Sequence, residues 1–243
     1  MAGLLEVEGL SKRFGAIVVA DGMTFSVARG ACLGIIGPNG AGKSSLFNLI
    51  AGTVPPDDGS IRLDGLEITD MQPHVRSQMG IGRAFQIPQP FPHLTVYENV
   101  MAAACFAAGL HGAEAESWTL DVLARTNLGK KADTLAGGLP FLDRKWLEFA
   151  KAMASRPKLL LLDEIAAGLT EPEVEALVDS IMSIKAEHAI LWIEHIPHAL
   201  RAAADRILVL HFGRKILEGA PGDVLDSRTV REIYMGLTAD DLA

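Results

Sequence analysis

One short segment of the sequence combines glycines, a lysine and hydroxyl groups in a spacing that suits the binding of phosphate. The segment consists of Gly37, Pro38, Asn39, Gly40, Ala41, Gly42, Lys43, Ser44 and Ser45. Residues 37–44 fit the pattern G-x-x-x-x-G-K-[ST], in which glycines let successive backbone N–H groups surround phosphate oxygens. Lys43 adds a positive charge for the terminal phosphates, and the hydroxyl of Ser44 is a ligand for Mg²⁺. An apolar run before the segment and a helical pattern after it favour a nucleotide phosphate site over a chance glycine turn.

Two carboxylates follow an apolar run later in the chain and suit the chemistry of a bound nucleotide. The run Leu159–Leu162 predicts a buried strand, and Asp163 and Glu164 come directly after it. Ligands of open α/β sheets bind at the carboxyl ends of the strands, so we expect Asp163 to hold Mg²⁺ through water. Because side chains alternate along a strand, Glu164 points differently and is suited to orient and deprotonate an attacking water. The alternative is that Glu164 only caps the segment that follows.

The elements that must position these residues are short apolar strands that alternate with helices. Strands are predicted at Leu4–Val7, Thr24–Val27, Ala31–Ile36, Lys158–Leu162, Ala189–Ile193, Arg206–Leu210 and Lys215–Leu217, with a hairpin at 61–68. Helices are predicted at Lys43–Ala51, at Glu171–Lys185 and through most of 95–154, with breaks at Gly129 and at 136–138. This order predicts an α/β core with a mostly parallel sheet that is covered on both faces and interrupted by helical residues near 86–157.

Composition and charge exclude several classes of protein. The chain has 243 residues, of which 49% are hydrophobic and 21% charged, as expected for a globular chain that buries a core. Lys and Arg number 22 and Asp and Glu number 30, so the formal net charge of −8 gives no general attraction to nucleic acid. The two cysteines, Cys32 and Cys105, cannot form a disulfide framework and are interpreted as buried thiols. No signal peptide is visible, and the longest apolar stretch, Val100–Leu110, is too short to span a bilayer as a helix.

Three further residues complete a resemblance to the ATP-binding cassette (ABC) ATPases. They are Phe14, Gln86 and His195, and with the phosphate loop and the two carboxylates they extend the resemblance over nearly the whole chain. The resemblance implies ATP and Mg²⁺ as cofactors, with Phe14 stacked on the adenine and the phosphate-loop residues 37–45 around the phosphates. The catalytic residues that it implies are Glu164, His195, Lys43 and Gln86. The metal ligands that it implies are Ser44, Gln86 and Asp163.

The resemblance also implies a fold. The fold is of the α/β class: a P-loop NTPase (RecA-like) core with a mostly parallel sheet, an antiparallel β subdomain and an inserted α-helical subdomain. A single ABC ATPase domain would cover residues 4–235. Residues 4–85 and 158–235 would form the catalytic core with the β subdomain, residues 86–157 the helical subdomain, and residues 236–243 a short C-terminal tail.

The signature motif of the family, L-S-G-G-Q or a close variant, has two candidate positions. Leu135–Leu139 is the more similar in letters, but it lies too far before Asp163 for the spacing of the family. Leu139–Asp143 has that spacing and continues without a gap into a helix that resembles the one after the signature. Both candidates lack the serine, so either an insertion separates a near-normal motif from its helix or the motif is degenerate. We favour degeneracy, because an insertion would rotate the helix face that follows.

Within the ABC family, the chain resembles importers of the branched-chain amino acid type, whose relatives also carry urea and amides. The supporting segments are 11–15, 82–86, 94–100, 162–169 and 194–195. This resemblance implies a peripheral ATPase subunit on the cytoplasmic side of the cell membrane, bound to integral-membrane permease subunits. An extracytoplasmic solute-binding protein would be an indirect partner, and no nucleic acid partner is expected. A degenerate signature would give a homodimer two poor sites, so we expect a heterodimer with a second, different ABC ATPase.

The loop Gln86–His93 is a candidate contact with the permease. It contains three prolines and Phe91, and such a pre-ordered loop with an aromatic anchor suits a docking helix. The alternative is a plain surface loop.

Two other functions stay open. A soluble ABC ATPase that acts on DNA or ribosomes usually has two cassettes or long coiled-coil insertions, whereas this chain shows one cassette, no sustained heptads and no basic stripe. A nucleotide-dependent regulator with weak hydrolysis is favoured by the altered signature and disfavoured by the intact Glu164. The solute is not specified, because the permease and the binding protein select it.

Overall fold

The computed structural model describes residues 3–234, which form ten strands and nine α-helices. The strands are β1 (Leu5–Phe14), β2 (Ile17–Val27), β3 (Cys32–Ile36), β4 (Asp58–Leu63), β5 (Leu66–Glu67), β6 (Ile81–Ala84), β7 (Leu159–Asp163), β8 (Ala189–Ile193), β9 (Arg206–His211) and β10 (Arg214–Gly219). The helices are α1 (Lys43–Ala51), α2 (Pro73–Gln78), α3 (Val96–Phe106), α4 (Gly112–Arg125), α5 (Phe141–Ala154), α6 (Glu171–Ile184), α7 (Pro197–Ala203), α8 (Pro221–Leu225) and α9 (Arg228–Tyr234). Helices therefore fill most of the chain between β6 and β7.

The strands form two sheets. The larger sheet has the order β10-β9-β3-β8-β7-β6, and its neighbouring strands are parallel except for β10 and β9. The smaller sheet has the order β2-β1-β4-β5 and is antiparallel throughout. A mostly parallel core beside an antiparallel sheet confirms the predicted fold class.

Strand β7 shows how the larger sheet is covered on both faces. All of its residues are buried, and its side chains alternate between two clusters of apolar residues. Leu160 and Leu162 belong to the cluster that contains residues of α3 to α7, whereas Leu159 and Leu161 belong to the cluster that contains α1 and the smaller sheet. A strand buried on both faces therefore has a continuous apolar sequence. The same period of two places Asp163 on the face of Leu159 and Leu161, towards α1.

Helices α3, α4 and α5 pack against one another between β6 and β7. Helix α3 begins with a capping box, in which the hydroxyl of Thr95 accepts from the N–H of Glu98 and the carboxylate of Glu98 accepts from the N–H of Thr95. This exchange satisfies N–H groups that a helix start leaves unpaired. The predicted breaks in the helical stretch are confirmed, since short 3₁₀ turns occupy Gly129–Lys131 and Ala136–Gly138.

The structure departs from the predicted elements in the smaller sheet and at β6. β1 and β2 extend well beyond the predicted strands Leu4–Val7 and Thr24–Val27, and their pairing contains several register shifts. The extra residues are mostly polar or exposed, so no regular apolar alternation marks them. β6 is not predicted, because its short sequence contains a glycine and an arginine and only its pairing with β7 makes it a strand.

The division of residues 4–235 into a core (4–85 and 158–235) and a helical subdomain (86–157) stays a prediction. The tail 236–243 lies outside the described residues. Within residues 3–234, no helix combines the length and the apolar character needed to cross a bilayer.

Candidate functional site

The predicted phosphate loop connects β3 to α1 at the carboxyl edge of the larger sheet. Gly42 directly precedes α1 with a φ of 105°, and a Cβ there would lie 2.3 Å from the backbone oxygen of Val19. A Cβ on Gly37 would lie 2.1 Å from the backbone oxygen of Leu210. Both contacts are far inside van der Waals distance, so these positions require glycine. Helix α1 begins directly after the loop, at Lys43. The N–H groups and the positive end of the helix dipole at this point favour the binding of an anion.

Lys43 is almost fully buried at the first position of α1. Its Nζ donates hydrogen bonds to the backbone oxygens of Gly37 at 2.8 Å and of Pro38 at 3.0 Å. Burial lowers the pKa of Lys43, and the carboxylates of Glu164 and Asp163 act in the opposite direction. The ammonium group is thus held at the loop by neutral carbonyls, with both acids of the site nearby.

Asp163 ends β7 and is buried. Its Oδ2 accepts a hydrogen bond from Nη2 of Arg83 at 2.9 Å, in an ion pair between two largely buried side chains. Its Oδ1 is also buried and has no hydrogen-bond partner among the described residues. Burial raises the pKa of Asp163, and Arg83 counters this rise. Because an unpaired buried oxygen is costly, this atom suits a ligand that supplies a donor or a positive charge.

Glu164, Gln86 and His195 meet beside the loop although they come from separate parts of the chain. The carboxylate of Glu164 accepts one hydrogen bond from Nε2 of Gln86 and one, at 2.9 Å, from Nε2 of His195. The three residues follow β7, β6 and β8, which are neighbouring parallel strands and therefore end at the same edge. Glu164 has a φ of 46°, a left-handed conformation that is uncommon outside glycine and frequent at functional sites.

Two buried charged residues hold these loops together, and sequence reasoning missed both. The carboxylate of Glu194 accepts from the backbone N–H groups of His195 at 3.0 Å and of Ala166 at 3.2 Å, which ties the loop after β8 to the loop after β7. Nζ of Lys145 donates to the backbone oxygen of Gln86 at 2.6 Å, which ties the loop after β6 to α5. Adjacency to His195 is the one signal that could have pointed to Glu194.

The phosphate loop, Gln86 and Glu164 border a cleft of about 420 Å³, whereas His195 is not among the described residues that line it. It is lined by Ile17, Val19, Asn39, Gly40, Ala41, Gly42, Lys43, Ser44, Ser45, Gln86 and Glu164. Phe14 ends β1 with half of its side chain exposed and is not among the described residues that line the cleft. Ile17 and Val19 on β2 line it instead, and sequence reasoning did not single them out. Stacking of adenine on Phe14 stays a prediction.

The two signature candidates differ in whether their backbone N–H groups already donate hydrogen bonds within the chain. In Leu135–Leu139, the N–H groups of residues 136–139 all donate to nearby backbone oxygens. In Leu139–Asp143, residues 141–143 form the first turn of α5, where N–H groups lack acceptors within the helix. Pro140 stands at the N-cap of α5 without a side-chain hydrogen bond. The location of the signature remains a prediction, and this geometry supports Leu139–Asp143.

Comparisons with known proteins identify the family. Residues 20–167 match the family model described as ABC transporter. BraF of Pseudomonas aeruginosa, a high-affinity branched-chain amino acid transport ATP-binding protein, is 34% identical over 96% of this chain and 98% of its own. LptB of Acidithiobacillus ferridurans, a lipopolysaccharide export system ATP-binding protein, is 31% identical over 97% of this chain and 98% of its own. A solved ATP-binding cassette of an ABC transporter, in its ADP conformation, has a TM-score of 0.86 at 30% identity and covers 97% of this chain and 100% of that one.

This chain belongs to the ABC transporter family, as an ATP-binding subunit that hydrolyses ATP to power transport. The family resemblance drawn from the sequence motifs is confirmed. Relatives named for an amino acid importer and for a lipopolysaccharide exporter differ little in their identity to this chain, so the comparisons leave its cargo open.

Proposed function

We propose that the chain binds ATP in the cleft beside the phosphate loop and hydrolyses it there with Glu164 as the base. The convergence of Gln86, Glu164 and His195 next to Lys43 carries this proposal. Lys43 and the start of α1 would neutralise the terminal phosphates. The γ-phosphate offers Gln86 and His195 an alternative acceptor. Once they turn to it, the carboxylate of Glu164 is free to accept a proton from an attacking water.

The residues present fit Mg²⁺ as the accompanying ion. Within the described part of the chain, no group of three or more His, Cys, Asp or Glu side chains could hold a metal alone. Mg²⁺ characteristically uses one or two protein oxygens together with substrate phosphates and water. Asp163 Oδ1 is buried without a hydrogen-bond partner among the described residues and is one such oxygen. Ser44 and Gln86 line the cleft together with Glu164, the residue that follows Asp163. The ion would screen the charge that develops on the phosphates.

We further propose that the transporter imports branched-chain amino acids or similar small amino-acid or amide solutes. The support is the resemblance to BraF over nearly the full length of both chains. In this proposal the chain is a peripheral subunit on the cytoplasmic side of the cell membrane, next to its permease. An extracytoplasmic solute-binding protein would deliver the solute.

A surface groove of about 380 Å³ supports contact with a permease. Its lining residues are Phe91, Leu94, Asn99, Ala102, Ala103, Phe106, Ala107 and Lys151, most of them apolar. The side chains of Phe91 and Phe106 are strongly exposed, and Nζ of Lys151 lies 5.9 Å from the centre of the Phe91 ring. Large exposed apolar side chains around one groove are typical of an interaction site. The groove adjoins the loop that carries Gln86, so a permease helix seated in it would act on the position of Gln86 through that loop.

We also propose that the functional ATPase is a heterodimer. Pro140 and Leu142 occupy the places where the family has a serine and a glycine, if Leu139–Asp143 is the signature. A homodimer would then contain two equally impaired sites, whereas a second, different cassette with an intact signature would complete the cleft of this chain.

A pull-down of Glu164→Gln from its own cells, in mild detergent with ATP and Mg²⁺, tests the proposal. Glu175→Gln, at an exposed position of α6, is the matched control. We expect a multi-span permease and a second cassette chain, identified by mass spectrometry, at higher yield than with the control. Co-purification of ribosomal proteins or nucleic acid without a membrane partner would refute the importer and support the soluble ATPase.

A further inference from the structure

Arg83 lies on β6 and bonds to two elements of the site, helix α1 and the end of β7. Its Nη1 donates to Oδ1 of Asn48 at 2.7 Å and its Nη2 donates to Oδ2 of Asp163 at 2.9 Å. Asn48 lies on α1, directly behind the phosphate loop, and Asp163 ends β7. One largely buried guanidinium group therefore links the helix that follows the phosphate loop to Asp163.

Aromatic rings hold the guanidinium group in this position. The Cζ atom of Arg83 lies 4.6 Å from the ring centroid of Phe85 and 5.8 Å from that of Phe47. Such contacts stabilise a planar cation and restrict its rotation. A lysine at this position would keep the charge, but it lacks the planar fork that donates to Asn48 and Asp163 from two separate nitrogens.

The fork engages only one oxygen of Asp163. Oδ2 is bound by Arg83, and Oδ1 is buried without a partner among the described residues. The rotation of the carboxylate is therefore fixed before any ligand arrives. Residues that orient a metal ligand in this way commonly contribute a factor of about 10–100 to metal affinity.

We propose that Arg83 is a positioning residue for the metal of the ATP site, which reserves Asp163 Oδ1 for the hydrated cation. This inference rests on the Mg²⁺ site of the proposed function. A merely electrostatic role makes the opposite prediction, because removal of a nearby positive charge would strengthen the binding of a cation. The sign of the change in metal affinity therefore decides between the two roles.

The test uses the full chain with a non-hydrolysable ATP analogue and Mn²⁺, whose free concentration is measured by electron paramagnetic resonance. The variants are Arg83→Met, Arg83→Lys and Asn48→Ala, and Arg29→Met at an exposed position is the matched control. Arg83→Met is expected to weaken Mn²⁺ binding by about tenfold or more. Arg83→Lys and Asn48→Ala are expected to show smaller losses, and the control none. The affinity for the analogue without metal should stay unchanged in all variants.

Unchanged or tighter Mn²⁺ binding in Arg83→Met would overturn the inference. An equal loss of metal-free analogue binding would overturn it as well, because Arg83 would then only support the fold. If Arg83→Met does not fold, the Mn²⁺ affinity of Asn48→Ala tests the inference instead. This variant removes the acceptor that holds Nη1 of Arg83 and keeps the positive charge. Unchanged Mn²⁺ affinity in Asn48→Ala would then overturn the inference. If wild-type binding of the analogue does not respond to metal, the proposed Mg²⁺ site fails, and this result is distinguishable from failure of Arg83 alone.

Discussion

The cleft beside the phosphate loop and the N-terminus of α5 are the two regions through which such a chain would act on ATP, and they differ in what they retain. The cleft is lined by Lys43, Ser44, Gln86 and Glu164, and His195 bonds to Glu164. The first turn of α5 holds its helix N–H groups, but Pro140 and Leu142 offer neither a hydroxyl nor the close backbone approach of a glycine.

The two regions differ in how far their function would depend on side chains. The cleft would combine the backbone N–H groups of the phosphate loop with charged and amide side chains, and both are marked in the sequence by residue type and spacing. The start of α5, if it is the signature, would depend mainly on its backbone N–H groups, and small side chains would be needed to let a phosphate approach them. The comparison predicts a chain that is competent at its own cleft and poor at serving the cleft of a partner.

The largest effect is expected for Glu164→Gln. Loss of a general base commonly lowers a rate by about 10²–10⁴-fold, so the turnover of ATP should fall in that range while ATP binding persists. Phosphate release and equilibrium binding of a fluorescent ATP analogue measure the two quantities. Turnover at the level of the Glu175→Gln control would show that another residue serves as the base.

Lys43→Met is expected to weaken ATP binding rather than the chemistry alone. Loss of hydrogen bonds from a charged donor costs about 1.5–3 kcal/mol, or roughly a 10–150-fold increase in the dissociation constant for ATP. Lys130→Met, at an exposed position, is the control, and thermal unfolding checks that the loop still folds. An unchanged dissociation constant would mean that the phosphates bind elsewhere.

Pro140→Ser introduces a hydroxyl at the start of α5 and tests whether this region contacts a phosphate. If Leu139–Asp143 is the signature, one added hydrogen bond to a phosphate of about 1 kcal/mol should raise the turnover of the isolated chain about fivefold. Pro140→Ala is the matched control, because it removes the proline without adding the hydroxyl. Equal turnover in the two variants would count against this position of the signature.

Gly138→Ala is expected to have the smallest effect. A Cβ at Gly138 meets open space, and its N–H group is already bonded to Leu135. Turnover of the complex and the free energy of unfolding should therefore change little. A loss of ATP-dependent association between the cassettes would instead identify Leu135–Leu139 as the signature.

The sequence predicted the elements that carry strong local patterns. The phosphate loop and β7 are marked by glycine spacing and by a continuous apolar run. The pairing of Arg83 with Asp163 escaped prediction, because it joins residues 80 positions apart through the unpredicted strand β6. Likewise, the end of β1 and the start of β2 have no regular apolar pattern in the sequence. The sequence therefore did not predict that Ile17 and Val19 of β2 line the cleft.

In the proposed heterodimer, the cleft of this chain carries the hydrolysis, and the α5 end of this chain contributes little to the cleft of its partner. The most direct test compares ATP turnover by the purified native complex with Glu164→Gln in this chain and with the equivalent glutamate changed in the partner cassette. We expect Glu164→Gln to lower turnover by about 100-fold or more, whereas the change in the partner should leave most of it. Equal losses from the two substitutions would refute this asymmetry, because both clefts would then be catalytically equivalent.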